Sequence, residues 1–417
     1  MRQLLEPARL PDRYRAALDY LYPRLTQIKF GLETTHRLLE AVGDPQAHYA
    51  TIHVGGTNGK GSVATLVAAA LRAAGRRVGL YTSPHLVSFR ERIAVDGVPI
   101  SRDAVVEWTE HLRPTMEATG ATFFEATTAM ALADFAARGV EIAVLEVGLG
   151  GRLDSTNVVT PLVSGITHIA LDHQKYLGDT IEQIAREKAG IAKPGVPFVI
   201  GEPDPHLARL LRDAGADAVG VADYQPMMVP PNAEWTGQLA LNGPHQRRNA
   251  AVAAAMLEAM PHRLRPSLGA VEAGFRSAGV PGRLDRRGKW LYDVAHNPDG
   301  VRALISALRA SPPPGPLHAV VSILGDKPWA EMLVLLDQVI DRGVLTVAPS
   351  AADRGWDTSW LQAWLADESR PPARAHWHLE PDFDAAIREA EHGAGTVLVT
   401  GSFHTVGDVL ARRGGVV

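Results

Sequence analysis

The run His53-Val-Gly-Gly-Thr-Asn-Gly-Lys-Gly-Ser62 constrains the fold of this chain more than any other stretch. Small and turn-forming residues, one lysine and one hydroxyl lie between the apolar run Tyr49-Ala-Thr-Ile-His-Val54 and an alanine-rich segment that stops at Gly75. Such residues dictate a strand, a glycine loop and then a helix, expected from about Ser62 to Ala74. Glycines let several backbone N–H groups converge on one anion at a helix N-terminus, where the helix dipole already favours negative charge. Lys60 adds a point charge for phosphate oxygens, and Ser62 a hydroxyl for a phosphate or its metal. The strict phosphate-loop pattern is broken twice, by Val54 in place of the first glycine and by Gly61 between Lys60 and Ser62. An ordinary glycine-rich strand–helix turn is the competing account.

Around this loop, short β-branched runs alternate with alanine-rich helical stretches, the pattern of βα units on a mainly parallel sheet. The expected strands are Thr51–Val54, Val78–Thr82, Ile142–Val147, Leu162–Ile169 and Val196–Ile200. Expected helices cover residues 126–138, 180–189 and 246–259; the second opens on a capping box, Thr180 with Gln183. Residues 223–243 read as an irregular or β segment. Gly279-Val-Pro-Gly-Arg-Leu-Asp285 reads as a hinge, after which the alternation restarts with strands Trp290–Val294, Ala319–Ile323, Val344–Val347 and Thr396–Thr400. Helices are expected between them at 299–309, 328–340, 358–366 and 382–392. The reading is two α/β domains, residues 1–282 and a smaller one at 283–417. Pro312-Pro-Pro-Gly-Pro316 is most simply a surface loop.

Composition excludes several functions. A formal net charge of -4 gives no general attraction for nucleic acid or anionic lipid. With no cysteine, disulfides, thiolate metal sites and cysteine nucleophiles are all ruled out. The first residues carry no apolar stretch of signal-peptide length, and no run of about 18 apolar residues occurs, so a cytoplasmic protein is expected.

In open α/β sheets ligands collect beyond the carboxyl ends of the strands, and several polar clusters fall there. Ser83 follows the second strand and can face the glycine loop. Glu146 ends an apolar run, where a lone carboxylate is costly unless it is paired or binds a cation. Arg152 and Asp154, in Gly148-Leu-Gly-Gly-Arg-Leu-Asp154, are expected near the phosphates. His173, in Asp172-His173, is a candidate metal ligand, with a structural histidine as the alternative. Lys188 reads from spacing alone as a solvated lysine at a helix C-terminus. Asp293 could accept ribose hydroxyls and His296 could face the first domain, although for that segment taken alone a plain Asn-Pro helix entry with a strand-end aspartate is the better account. Gly325-Asp-Lys327 and Thr400-Gly-Ser-Phe-His404 also follow strands and could form a small anion pocket.

Together these segments closely resemble the folylpolyglutamate synthase/dihydrofolate synthase family of the Mur ligase superfamily. The likeness runs through Phe30-Gly-Leu-Glu33, Gly56–Ser62, Ser83-Pro-His-Leu86, Phe124-Glu-Ala-Thr127, Glu146-Val-Gly-Leu-Gly-Gly-Arg-Leu-Asp154, Leu171-Asp-His173 and Glu187-Lys-Ala-Gly-Ile191. It continues through Pro281-Gly-Arg283, Asp293-Val-Ala-His-Asn-Pro298 and Gly401-Ser-Phe-His-Thr405, and several of these segments look like the bacterial bifunctional members. The resemblance implies a phosphate-loop NTPase-like domain with a mainly parallel sheet, a smaller Rossmann-like domain, and an ATP- and Mg2+-dependent amide ligase. Dihydropteroate or a reduced folate would be joined to L-glutamate through an acyl phosphate.

By matching position, Thr57, Asn58, Gly59, Lys60, Gly61 and Ser62 would cradle the phosphates of ATP, with Asn249, Arg283 and Asp293 also on the nucleotide. Ser83, Glu146 and His173 would hold magnesium, with two ions expected. Lys188 matches a lysine that the family carbamylates, which reverses its reading from spacing. Gly31, Leu32, Thr122, Phe124, Leu153, Asp154 and Ser155 would contact the pterin substrate. His296, Lys327 and Ser402 match the positions that take the incoming amino acid, and Lys60, Lys188 and His296 would carry the chemistry. A monomer acting without nucleic acid or membrane is expected. One departure is Gly243-Pro-His-Gln-Arg-Arg-Asn249, whose His-Gln pair is absent from some bifunctional members. The rival readings are a monofunctional folylpolyglutamate synthase, a Mur-type cell-wall ligase and a phosphate-loop NTPase with no ligase step.

Overall fold

The computed structural model describes residues 11–26, 29–221, 223–369 and 373–414. The first ten residues, where a leader was sought, lie outside them. Two sheets organise the chain. The first has eight strands: β1 (Ala50–Gly55), β2 (Val78–Tyr81), β3 (Ile93–Val95), β4 (Val98–Pro99), β5 (Ile142–Glu146), β6 (Val163–Ile166), β7 (Phe198–Ile200) and β8 (Met227–Met228). Their order is β4-β3-β2-β5-β1-β6-β7-β8. It is parallel except at the β2–β3 and β3–β4 pairs. The second sheet comprises β9 (Asp285–Arg287), β10 (Trp290–Tyr292), β11 (Leu317–Val321), β12 (Arg342–Leu345), β13 (His376–Leu379) and β14 (Thr396–Thr400). Its order is β13-β12-β11-β14-β10-β9, with only β9–β10 antiparallel.

Strands β1 and β5 are buried almost throughout, because helices cover both faces of a parallel sheet. Helix Lys60–Ala73 packs Val63, Leu66, Val67, Ala70 and Leu71 into the core and is crossed by helix Leu268–Ser277. The crossing is close enough that a methyl added at Gly274 would lie 2.4 Å from the Ala70 nitrogen. Among the described residues no helix is long and apolar enough to cross a membrane.

The βα alternation is as expected, with informative differences at the ends of elements. The first helix begins at Lys60 and not Ser62, because Gly59 at φ 88° is its N-cap and closes the loop two residues earlier. The strand expected to reach Ile169 stops at Ile166, because the next residues turn over the glycine loop: Thr57 N–H donates to His168 O (2.6 Å) and Thr167 Oγ1 to Asn58 O (2.7 Å). Residues 223–243 hold only the two-residue strand β8. Seven α-helices among the described residues were not anticipated: Asp12–Leu21, Glu33–Glu40, Arg102–Thr119, the one-turn Gln174–Leu177, Pro205–Val219, Leu268–Ser277 and Phe403–Arg412.

The two sheets meet where first-domain loops touch the second domain. Leu86 joins the core formed by Trp290, Tyr292, Val294 and Val406. Gly282, at φ 70°, sits where a side chain would press on Val294, Leu86 and Val406.

Candidate active site between the two domains

A cleft opens at the carboxyl ends of β1, β2, β5 and β6 and is closed on its far side by the second domain. Residues 56–61, Ser83, Glu146, Asp172, His173, Lys188, Arg283, His296 and Phe403 line it. Gly56 (φ 138°) and Gly59 (φ 88°) hold backbone conformations that side chains rarely adopt, and each has a neighbour where a Cβ would stand. The neighbours are Thr167 Oγ1 for Gly56 and Asn249 Oδ1 for Gly59, so Asn249 packs directly on the loop. Lys60 Nζ lies at the head of its helix and donates to Thr57 O (3.1 Å). Burial lowers the Lys60 pKa, while Glu146 and Asp172 draw it back up.

Glu146 is 5% exposed. Ser83 N–H donates to its Oε2 at 3.0 Å, and Gly61 approaches so closely that a Cβ there would stand 3.5 Å from both carboxylate oxygens. Burial raises the Glu146 pKa, opposed by Lys60, the Ser83 N–H and Arg283. A carboxylate under this tension is stabilised by a cation in the cleft. His173 adds an imidazole that stays neutral at pH 7, because partial burial and the nearby Lys327 cation lower its pKa to about 4. A hydroxyl, a carboxylate and a neutral imidazole are an oxygen-rich donor set suited to a hard divalent ion.

Lys188 is not the solvated lysine its spacing suggested. It is 5% exposed, inside the cleft, and its Nζ donates to Gly56 O at 2.8 Å. Burial first, and then the charge of Lys60, lower its pKa to about 7.

The chain is similar in sequence and fold to proteins of known activity. Residues 54–257 match the Mur ligase middle domain, and residues 282–403 the glutamate ligase domain of Mur ligases. A Bacillus subtilis dihydrofolate synthase/folylpolyglutamate synthase is 33% identical over 96% of this chain and 99% of its own length. A Haloferax volcanii protein described as a probable bifunctional folylpolyglutamate synthase/dihydropteroate synthase is 34% identical over 95% of this chain, which spans 50% of that longer protein. The Escherichia coli FolC structure with DHPP and ADP superposes with a TM-score of 0.83, at 32% identity over 97% of this chain and 100% of that one. A bifunctional folylpolyglutamate synthase/dihydrofolate synthase with Mn, AMPPNP and L-glutamate bound gives a TM-score of 0.81, at 34% identity over 96% and 98% of the two chains. The chain belongs to the folylpolyglutamate synthase/dihydrofolate synthase family. It is an ATP-dependent ligase of the Mur ligase superfamily.

Among the residues expected to contact the pterin, Thr122 caps helix Phe123–Ala137 through a capping box with Glu125, and the Phe124 ring covers Gly148, where a Cβ would lie 2.3 Å from it. Leu32 precedes helix Glu33–Glu40, which packs on helix Phe123–Ala137 and on the turn Ser155–Val158. Gly31 has open space around its α-carbon, and Ser155 and Asp154 are buried. Asp154 is committed to its own loop. Its Oδ2 accepts from Gly148 and Leu149 N–H (3.1 and 2.8 Å) and its Oδ1 from Thr156 N–H (3.0 Å). Arg152 corrects the sequence reading: it pairs with Glu187 (2.8 Å) with its side chain 55% exposed, and it does not line the cleft.

In the second domain, Asp293 accepts Leu284 and Ala295 N–H (2.9 and 3.0 Å) at the hinge, beside the half-buried Arg283. Nδ1 of His296 meets Val294 O at 3.0 Å, which leaves Nε2 3.6 Å from Asp172 Oδ2. The hydroxyl of Ser402 caps helix Phe403–Arg412 and also meets Thr405 Oγ1 (2.7 Å), so Phe403 is the residue of that segment that reaches the cleft.

Sequence reasoning passed over the hub of the interface. Asp172 forms an ion pair with Lys327, accepts from Asn297 Nδ2 (3.1 Å) and faces His296. Desolvation opposes its charge, but His296, His173 and Lys327 outweigh it and hold the carboxyl far below the usual range. Asn297 is both the helix entry and an interface residue, since its Oδ1 caps Gly300 N–H (2.8 Å) while its Nδ2 reaches Asn58 and Asp172. A second cavity, beside His318, Arg342 and His376 at the opposite end of the second sheet, contains none of the expected residues. There Glu389, which with His378 and Glu380 could surround a cation, is already held by Arg342.

Proposed function

We propose that this chain joins L-glutamate to dihydropteroate, and to the glutamate tail of reduced folates, through an acyl phosphate formed at the expense of ATP. The observation that carries this reading is the cleft itself, in which a lysine-bearing phosphate loop, a cation-seeking carboxylate and a second-domain histidine converge. The reaction must bring a carboxylate onto the γ-phosphate, two anions whose repulsion positive charge has to offset.

The loop from Thr57 to Ser62 cradles the phosphates, with Lys60 on the β- and γ-oxygens; Asn249, Arg283 and Asp293 complete the nucleotide site. Ser83, Glu146 and His173 would hold Mg2+, with two ions in this reading; bound there, Mg2+ would supply positive charge for the phosphate oxygens. Lys188 is suited to carbamylation, because with a pKa of about 7 much of it is a neutral amine at physiological pH, the form that adds CO2. Gly31, Leu32, Thr122, Phe124, Leu153, Asp154 and Ser155 form the pterin side, Asp154 by fixing the loop. His296, Lys327 and Ser402 form the glutamate side; His296 turns Nε2 toward the cleft, where it can orient the attacking amine or take its proton. Lys327 is paired with Asp172 and keeps further N–H donors for a glutamate carboxylate, and Ser402 contributes by capping the helix that carries Phe403.

The domain division falls at 282/283, where Gly282 turns the chain into β9. One chain supplies both walls of the cleft, which supports a monomer, and a cysteine-free chain suits the reducing cytoplasm. Phosphate release from ATP separates this reading from an NTPase without a ligase step. Release should require both glutamate and a pteroate or folate substrate; release that ignores both would reject the ligase reading.

A further inference from the structure

His168 is a residue the reaction does not explain. It follows β6, its backbone oxygen accepts the Thr57 N–H of the phosphate loop at 2.6 Å, and its ring bridges the domains. Nδ1 lies 2.8 Å from Glu202 Oε2 in the first domain, and Nε2 lies 3.1 Å from Asp299 Oδ2 in the second. Each ring nitrogen faces a carboxylate oxygen, and only an imidazolium can donate to both.

Both carboxylates are fixed. Glu202, 2% exposed, accepts Ile169 N–H (2.8 Å) on Oε2 and Asp204 N–H (2.9 Å) on Oε1. Asp299 stands in the first turn of helix Pro298–Ala310, three residues after His296, and its Oδ2 also accepts from Asn58 Nδ2 at 2.7 Å. The same oxygen therefore takes a donor from the phosphate loop and a donor from the ring that braces that loop. Arg248 adds positive charge on the Glu202 side and Arg302 on the Asp299 side. Burial acts to lower the His168 pKa, but Asp299 and Glu202 outweigh it and hold the pKa at about 10, so the bridge stays charged at neutral pH.

We propose that His168 is a positioning residue that, as an imidazolium, clamps Asp299 to Glu202 and so holds the second domain, with His296, closed over the phosphate loop. Resting on the ligase reading above, the inference adds to it a residue outside the nucleotide, metal and substrate sets. Its effect should fall on the second-domain substrate. His168→Gln keeps the size and some hydrogen bonding but loses the charge, whereas Asp299→Asn removes the other partner.

The test combines kinetics with a distance. Each single variant should lower kcat/KM for glutamate about tenfold, mainly through KM. The double variant should be no worse than either single, because one clamp is lost only once. The chain has no cysteine, so spin labels on cysteines introduced at the exposed Asp213 and Glu368 report the domain separation without background. With ATP analogue and Mg2+ present, His168→Gln should shift that distribution to longer distances. Asp299→Asn, on a side chain 38% exposed, serves as the folding control. Glutamate kinetics within twofold of the parent in both folded single variants, losses that multiply in the double variant, or an unchanged distance distribution would each overturn the clamp. Absence of ligation in the parent protein would reject the ligase reading instead.

Discussion

On the first-domain wall of the cleft, Glu146 keeps its carboxylate beside the open space, Lys60 stands at the head of its helix, and Lys188 is buried with a pKa lowered to about 7. On the second-domain wall the polar groups are already engaged: Asp293 by two backbone N–H groups, Ser402 and Asn297 as helix caps, and Lys327 by Asp172. The first wall therefore stores electrostatic tension that ligands relieve. The second is a set of satisfied groups carried in as a unit. Charge removal should thus act on chemistry at the first wall and on stability or closure at the second.

The largest effect belongs to Lys60. Lys60→Ala should reduce kcat by about 1,000-fold or more with the fold intact, because in the proposed function it removes charge directed at the transferring phosphoryl group. Near-normal turnover in a folded variant would refute its role. Lys188 comes next. Lys188→Arg should be as damaging as Lys188→Ala, since a guanidinium cannot add CO2, and acetate should partly restore the alanine variant only. A Lys188→Arg enzyme close to the parent would remove the carbamate from the account.

Lys188 also fixes a pH dependence. Its folded pKa lies near 7 and its unfolded value near 10.4, so between them the unfolded chain binds more protons and the apo protein gains stability as pH rises. The cost of burial is therefore greatest below pH 7 and declines toward pH 10. Activity in added bicarbonate should rise from pH 6 to pH 8 as the neutral amine accumulates.

Glu146→Gln sharpens the comparison further. It should raise the Mg2+ concentration needed for half-maximal rate by at least tenfold while the melting temperature holds or increases, because a buried charge is removed. An unchanged metal requirement would make Glu146 structural. Ser402→Ala should do the reverse. As the loss of a helix cap it should cost about 1 kcal/mol of stability with kcat little changed, and a large loss of glutamate affinity without destabilisation would show a direct contact instead.

The sequence exposed the first wall far better than the second. Phosphate chemistry is written locally, in consecutive glycines and a lysine after a strand, and Glu146 stands out as a carboxylate in an apolar run. Asp172 carries no such mark, because its partners Lys327, Asn297 and His296 lie more than 120 residues away. Arg152 was misplaced because adjacency in a motif does not say which side of a loop a long side chain takes. Some missed elements did have signals. Asp96-Gly97, both at positive φ (55° and 81°), is a hairpin turn between β3 and β4, and Thr122 with Glu125 is a capping box that starts its helix three residues before the expected position. Helix Arg102–Thr119 was hidden by Pro114, which reads as a breaker yet is accommodated inside it.

The most direct test of the central claim is to incubate the protein with ATP, Mg2+, L-glutamate and either dihydropteroate or tetrahydrofolate, and to weigh the products. The account predicts a mass increase of one glutamyl residue on dihydropteroate and on the folate, with one ATP converted to ADP and phosphate for each amide formed. Unchanged substrate masses while ATP is hydrolysed would contradict it.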